Sequence, residues 1–148
     1  MNIKVMYHSS SGNTKKVAEA IAGELGVEAQ KIGKDQAPFS EPVDLLFIGD
    51  GIYAGNPNKV TLSFIDKLTP EAVKNSAAFA TYGGQPVIGE RIANLLRDKG
   101  LNVVSEPFAC KGKCWFFINR KRPNGEDLEM SRQFARSIVS SIEKAGGE

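Results

Sequence analysis

Cysteine, histidine and tryptophan are scarce in this chain of 148 residues: two, one and one. Cys110 and Cys114 stand in "CKGKC", and His8 is distant in sequence. A zinc site would need a second pair of N or S ligands, and none is present. The spacing also differs from the thioredoxin-type redox motif. The two cysteines are therefore expected to be reduced thiols at a strand end. No apolar run approaches the length of a membrane span. The opening "IKVMY" is too short for a signal-peptide core. These absences lead us to expect a soluble cytoplasmic protein. The net charge of +2 is too small to imply a nucleic-acid partner. Repeats, low-complexity stretches and linkers are missing too, so residues 1–148 are expected to form a single domain. A chain of this size can bury a core without disulfides or metals.

What the sequence does contain is an alternation of short β-rich runs and amphipathic stretches. "NIKVMYH" (2–8) reads as a buried strand. Val17, Ala18, Ile21, Ala22 and Leu25 recur at helical spacing over 13–25, and Gly26 is a stop signal. Further strands are predicted at 27–32, 44–49, 76–82 and 102–110, the last with Pro107 marking an edge or bulge. "DLLFIG" (44–49) is the most apolar, as a central parallel strand covered on both faces should be. Further helices are predicted at 58–68, 87–100 and 126–143. The alternation implies an α/β fold with a parallel sheet and helices on both faces. Five strands suit the order 2-1-3-4-5, with a ligand site at the carboxyl ends of the strands by the switch point.

The loop after the first strand is Ser9, Ser10, Ser11, Gly12, Asn13 and Thr14. It opens a helix, whose free N–H groups and positive dipole end favour an anion. The hydroxyls of Ser9, Ser11 and Thr14 add donors, and Gly12 lets the backbone wrap a phosphate. Ordinary N-capping by serine or asparagine is the competing reading, but one such residue suffices for a cap. Glycine spacing and lysine placement both differ from the nucleotide P-loop, and the dinucleotide G-x-G-x-x-G is missing. Neutral hydroxyls and amides suit a phosphate that is held rather than transferred.

"SSSGNT" matches the pattern [ST]-x-[ST]-G-x-T, and on this motif the chain resembles flavodoxins and the wider flavodoxin-like family of FMN proteins. The resemblance spans nearly the whole chain and is strongest in the first fifty-odd residues. It implies a flavodoxin-like three-layer sandwich, FMN as cofactor, and an FMN phosphate held by residues 9 to 14. It carries ring contacts onto Gly51, Ile52, Tyr53, Ala54 and Gly55 in "GDGIYAGNP", with Tyr53 at the position of the stacking aromatic. In the family a glycine peptide in this loop turns over on one-electron reduction. Ala54 occupies the nearest equivalent here, and Gly55 follows. Thr81, Tyr82, Gly83 and Gly84 in "TYGGQP" fall in the third loop, which is short for the family. Trp115 reads as packing rather than as a lid over the ring.

Family members are strongly acidic around the flavin, whereas this chain is slightly basic. Lys111, Lys113, Arg120, Lys121 and Arg122 cluster after the fifth strand. They read either as a solvated loop or as a surface that steers an acidic partner. The resemblance implies an electron carrier with redox protein partners, no nucleic acid and no membrane span, as a monomer or weak dimer. The alternatives are an FMN-dependent NAD(P)H or quinone oxidoreductase and a flavin-free binding domain on the same frame. Response-regulator receivers share the architecture, and Asp50 stands where their phosphoacceptor lies. The chain lacks the acidic pair they carry after the first strand. His8 is expected to be packed and hydrogen-bonded.

Overall fold

A computed structural model of the chain describes residues 1–51, 55–83, 88–112 and 121–146. β1 (Ile3–Tyr7) leads into α1 (Asn13–Leu25), followed by β2 (Ala29–Lys31) and β3 (Leu45–Asp50). α2 (Lys59–Asp66), β4 (Ser76–Tyr82), α3 (Ile88–Asp98), β5 (Phe108–Lys111) and α4 (Gly125–Gly146) complete the order. The strands are all parallel, in the order β2-β1-β3-β4-β5. This is the expected α/β architecture.

The sheet divides the core into two layers. On one face Val17, Ile21, Ala135 and Ile138 of α1 and α4 pack against Val5, Phe47 and Phe79. On the other, Phe64, Ile65, Ile92 and Leu96 of α2 and α3 pack against Met6, Leu46 and Ile48. Alternate residues of β3 thus feed opposite layers, which is why "LLFIGD" is buried throughout. The Phe79 ring lies where a Cβ on Gly49 would stand, so that strand position requires glycine.

Boundaries follow local chemistry. α1 ends at Gly26 in the left-handed conformation, its N–H directed to Ala22 and Gly23 carbonyls. Asn58 caps α2, its side chain accepting from the Val60 N–H. The fifth strand differs from expectation. Val103 makes an isolated bridge to Ser76, and the ladder resumes only at Phe108. Pro107 has no N–H to give to the ladder. It packs instead on α3, 2.9 Å from where a Cβ on Gly89 would lie. β2 is also shorter than the predicted run 27–32.

Candidate functional site

β1 and β3 are neighbours, yet α1 and α2, which follow them, lie on opposite faces of the sheet. The loops leaving their carboxyl ends therefore diverge and open the switch-point crevice. Among the described residues, 8–12 border it on one side, 51 and 55–58 on a second, and Gly83, after Tyr82, on a third.

The first loop is not a capped polar turn. Gly12 occupies the N-cap of α1 at φ 91°, with no side-chain cap and no acid in the first turn. Ser9 Oγ folds back to accept the Gly12 N–H at 3.0 Å. A Cβ on Gly12 would meet no atom within 4 Å, so glycine serves the left-handed backbone and the space beside it is open. Ser10 and Ser11 are exposed, while Asn13 and Thr14 are buried. This donor set of amides and neutral hydroxyls, at a helix N-terminus free of carboxylates, fits a phosphate.

The loop is pinned on three sides. Toward β3, His8 Nδ1 lies 3.0 Å from Asp50 Oδ1. Toward β4, the Thr14 and Thr81 hydroxyls meet at 2.9 Å in a buried pair. Toward β5, a Cβ on Gly112 would stand 2.6 Å from Asn13 Nδ2, so the backbone there abuts the Asn13 side chain. Gly112 donates its N–H to the Tyr82 carbonyl at 2.9 Å, which ties β5 to the third loop.

Asp50 is fully buried and ties down the second loop. Its Oδ1 accepts the Gly51 N–H at 2.7 Å, besides facing His8. Its Oδ2 accepts from the Asn58 N–H at 2.8 Å and the Thr61 hydroxyl at 2.7 Å. One carboxylate thus closes both ends of the 51–58 loop and anchors α2. A phosphoacceptor must be reached by its donor, so Asp50 does not fit the receiver reading. Gly55 holds φ 88°, a left-handed backbone, with open space where a Cβ would go. Ile52, Tyr53, Ala54 and Gly84 lie outside the described residues. Tyr82 and Gly83 are half-buried at the end of β4, and Thr81 is buried.

The basic segment divides. Lys111 and Lys121 are exposed. Arg122 grips Asp127 with two hydrogen bonds, Nε to Oδ2 at 2.5 Å and Nη2 to Oδ1 at 2.6 Å. Asn124 and Asp127 exchange N–H and side-chain bonds as a reciprocal cap of α4. The Arg122 hydrogen bond holds the Asp127 carboxyl below its usual range. Arg122 is thus committed to the fold. Lys113, Cys114, Trp115 and Arg120 lie outside the described residues. Cys110 is buried in the core, and burial, reinforced by the Asp127 charge, pushes its thiol to about 12. Such a thiol stays protonated and inert. Among the described residues no group of His, Cys, Asp or Glu is placed to hold a metal ion. Nor is any described helix long and apolar enough to cross a membrane.

The sequence treats the three loops separately and does not show that the Asp50 carboxylate joins two of them. The signal was the parallel register. Tyr7 pairs with Gly49, so the next residues, His8 and Asp50, end side by side.

Sheet order, switch point and the serine-glycine loop together define a flavodoxin-type domain. The chain belongs to the flavodoxin domain family, whose model matches residues 4–121. It is 30% identical over 152 residues to an uncharacterized protein of Methanocaldococcus jannaschii, covering 95% of this chain and 100% of that one. Its fold is similar to a flavodoxin from the domain Archaea, at 19% identity and a TM-score of 0.71, covering 97% and 99% of the two chains. It is also similar to a Lactobacillus acidophilus flavoprotein in complex with FMN, at 20% identity and a TM-score of 0.56, covering 74% and 92%.

Proposed function

We propose that this chain binds FMN at the β1/β3 crevice and carries electrons between redox proteins. The observation that carries the reading is the hydroxyl-rich loop on the acid-free N-terminus of α1, with Gly12 left-handed and open space beside it. Membership of the flavodoxin family supports a flavin cofactor. The FMN of the Lactobacillus flavoprotein agrees with the phosphorylated form.

In this reading Ser9, Ser10, Ser11, Gly12, Asn13 and Thr14 hold the phosphate through hydroxyls and backbone N–H groups. Thr81 acts by fixing Thr14, because the two buried hydroxyls are bonded to each other. Gly51, Ile52, Tyr53, Ala54 and Gly55 form the wall beside the ring, with Tyr53 as the stacking aromatic. Tyr82, Gly83 and Gly84 form the other wall. Bound flavin supplies the redox chemistry, accepting and giving up one or two electrons. The residues bind and orient it, and none is needed as a general acid or base. Residues 1–148 act as one domain in the cytoplasm.

The test is anaerobic reduction of the flavin-loaded protein, followed by mixing with protein acceptors and, separately, with NADH or NADPH. A carrier passes electrons to an acceptor and does not consume nicotinamide alone. Steady NAD(P)H oxidation with a quinone acceptor would replace the carrier by the oxidoreductase. A chain that retains no flavin would be a binding domain.

A further inference from the structure

We propose that the flavin end of this molecule is a cationic docking face for an acidic protein partner. The inference rests on the flavin reading above, because it concerns the end of the sheet where that site lies. In a parallel α/β sheet the carboxyl ends of strands and the amino ends of helices share one edge. At that edge stand Lys15 and Lys16 in the first turn of α1, Lys59 at the start of α2 and Arg91 in the first turn of α3. Lys111 ends β5, and Lys121 precedes α4. All six are exposed.

Carboxylates do not balance them. Among the described residues of the four first turns, only Glu90 and Glu126 are exposed acids. Asp50 and Asp127 are buried and bonded within the fold. At the opposite end the exposed cations Lys67, Lys74, Arg97 and Lys144 are matched by the exposed acids Glu41, Asp66, Glu71, Asp98, Glu106 and Glu143. The molecule is therefore polarised, with its positive end at the crevice.

The placement also opposes the needs of the helices. The positive end of a helix dipole favours acids in the first turn and disfavours cations. α1 and α2 have no acid there and carry Lys15, Lys16 and Lys59 instead. Cations and helix dipoles then reinforce one another toward an outside anion. Arg91 adds a link to the crevice, as its Nε donates to Asn56 Oδ1 in the second loop at 3.1 Å.

An acidic protein fits this surface better than a nucleic acid. The net charge is only +2, and the far end is mixed in sign. A dipolar molecule is turned site-first toward an acidic protein, which raises productive encounters without holding a polyanion tightly.

The test compares two double variants of equal net charge, Lys59→Glu with Lys111→Glu at the site end and Lys74→Glu with Lys144→Glu at the far end. Reduced flavin-loaded protein is mixed with ferricyanide, which takes one electron per ion, across a range of salt. Poly-L-glutamate and duplex DNA serve as competitors. The expected ferricyanide rate falls with salt and is inhibited by poly-L-glutamate. It drops on the order of tenfold in the site-end variant and stays within about twofold in the far-end one. Equal losses in the two variants, a rate that rises with salt, or competition by DNA but not by poly-L-glutamate would overturn the proposal. If the chain holds no flavin, the flavin reading fails. Anisotropy of labelled poly-L-glutamate then decides the surface alone, weaker binding by the site-end variant upholding it and equal binding overturning it.

Discussion

His8 Nδ1 lies 3.0 Å from Asp50 Oδ1, and through this contact the loop after β1 is joined to the loop after β3. The same carboxylate accepts from Gly51, Asn58 and Thr61, so one buried side chain sets the spacing of two walls of the crevice. Asp50→Ala strands those donors in a buried place. Such groups cost about 1–3 kcal/mol each when left unpaired, less where water enters. We expect a loss on the order of 3–5 kcal/mol in urea denaturation, together with weaker FMN binding. Asp50→Asn keeps one accepting oxygen and should fall between the two. Unchanged stability in the alanine variant would show that the network does not hold the loops.

The Thr14–Thr81 pair gives a double-mutant cycle. Thr14→Val leaves the Thr81 hydroxyl buried without its partner and should cost about 1–3 kcal/mol. The double variant with Thr81→Val should cost less than the sum of the singles, because no stranded hydroxyl remains. Strict additivity in thermal unfolding would contradict a coupled pair.

Two glycines at or beside the 9–14 loop should fail for different reasons. Gly12→Ala has room for its methyl but is held at φ 91°, a conformation costing about 1–2 kcal/mol for a residue with a Cβ. Gly112→Ala has no positive-φ strain, but its Cβ would stand 2.6 Å from Asn13 Nδ2 and displace that side chain. Both should weaken FMN binding. Asn13→Ala removes the Nδ2 and Cγ contacts but leaves its own Cβ 3.0 Å away, so it should relieve Gly112→Ala in part and Gly12→Ala not at all, as read by thermal unfolding.

Titration at the start of α4 has a definite sign. Asp127 is held below its ordinary value of 3.8, so its contribution is complete above that pH. The contribution is lost as pH falls through the lower folded value. Asp127→Asn should flatten this acid limb of the stability curve. Cys110 behaves oppositely. Its thiol rises from 9.0 to about 12, so its contribution is complete below 9.0 and lost as pH climbs toward 12. In a Cys114→Ser background, Cys110 should resist iodoacetamide at pH 8 until the protein is unfolded. Rapid labelling of the native protein would contradict a buried, protonated thiol.

How much of this was legible in the sequence follows from which forces are local. Strand and helix identity came from hydrophobic periodicity, and β3 announced itself by "LLFIGD" because both its faces are covered. Gly26 and Gly100 marked helix ends, since the left-handed turn they make at φ 71° and 82° is local chemistry. The late start of the fifth strand, after Pro107, depended on that proline's packing against α3, which periodicity does not register. The serine-glycine loop after β1 was legible as a helix-opening turn because its residues are contiguous. The Asp50 network and the Thr14–Thr81 pair were not, because they join residues 42 and 67 positions apart through the sheet register. The basic segment misled in one respect. Arg122 reads as surface charge in the sequence but is spent on Asp127 in the fold.

The central claim is that the loop of residues 9–14 holds the phosphate of a flavin. Parallel titrations of the purified chain with FMN and with riboflavin, followed by flavin fluorescence, test it directly. We predict one FMN per chain and binding of riboflavin weaker by at least about tenfold, since each charge-assisted bond to a phosphate contributes about 1.5–3 kcal/mol. Equal affinity for the two flavins, or binding of neither, would contradict the account.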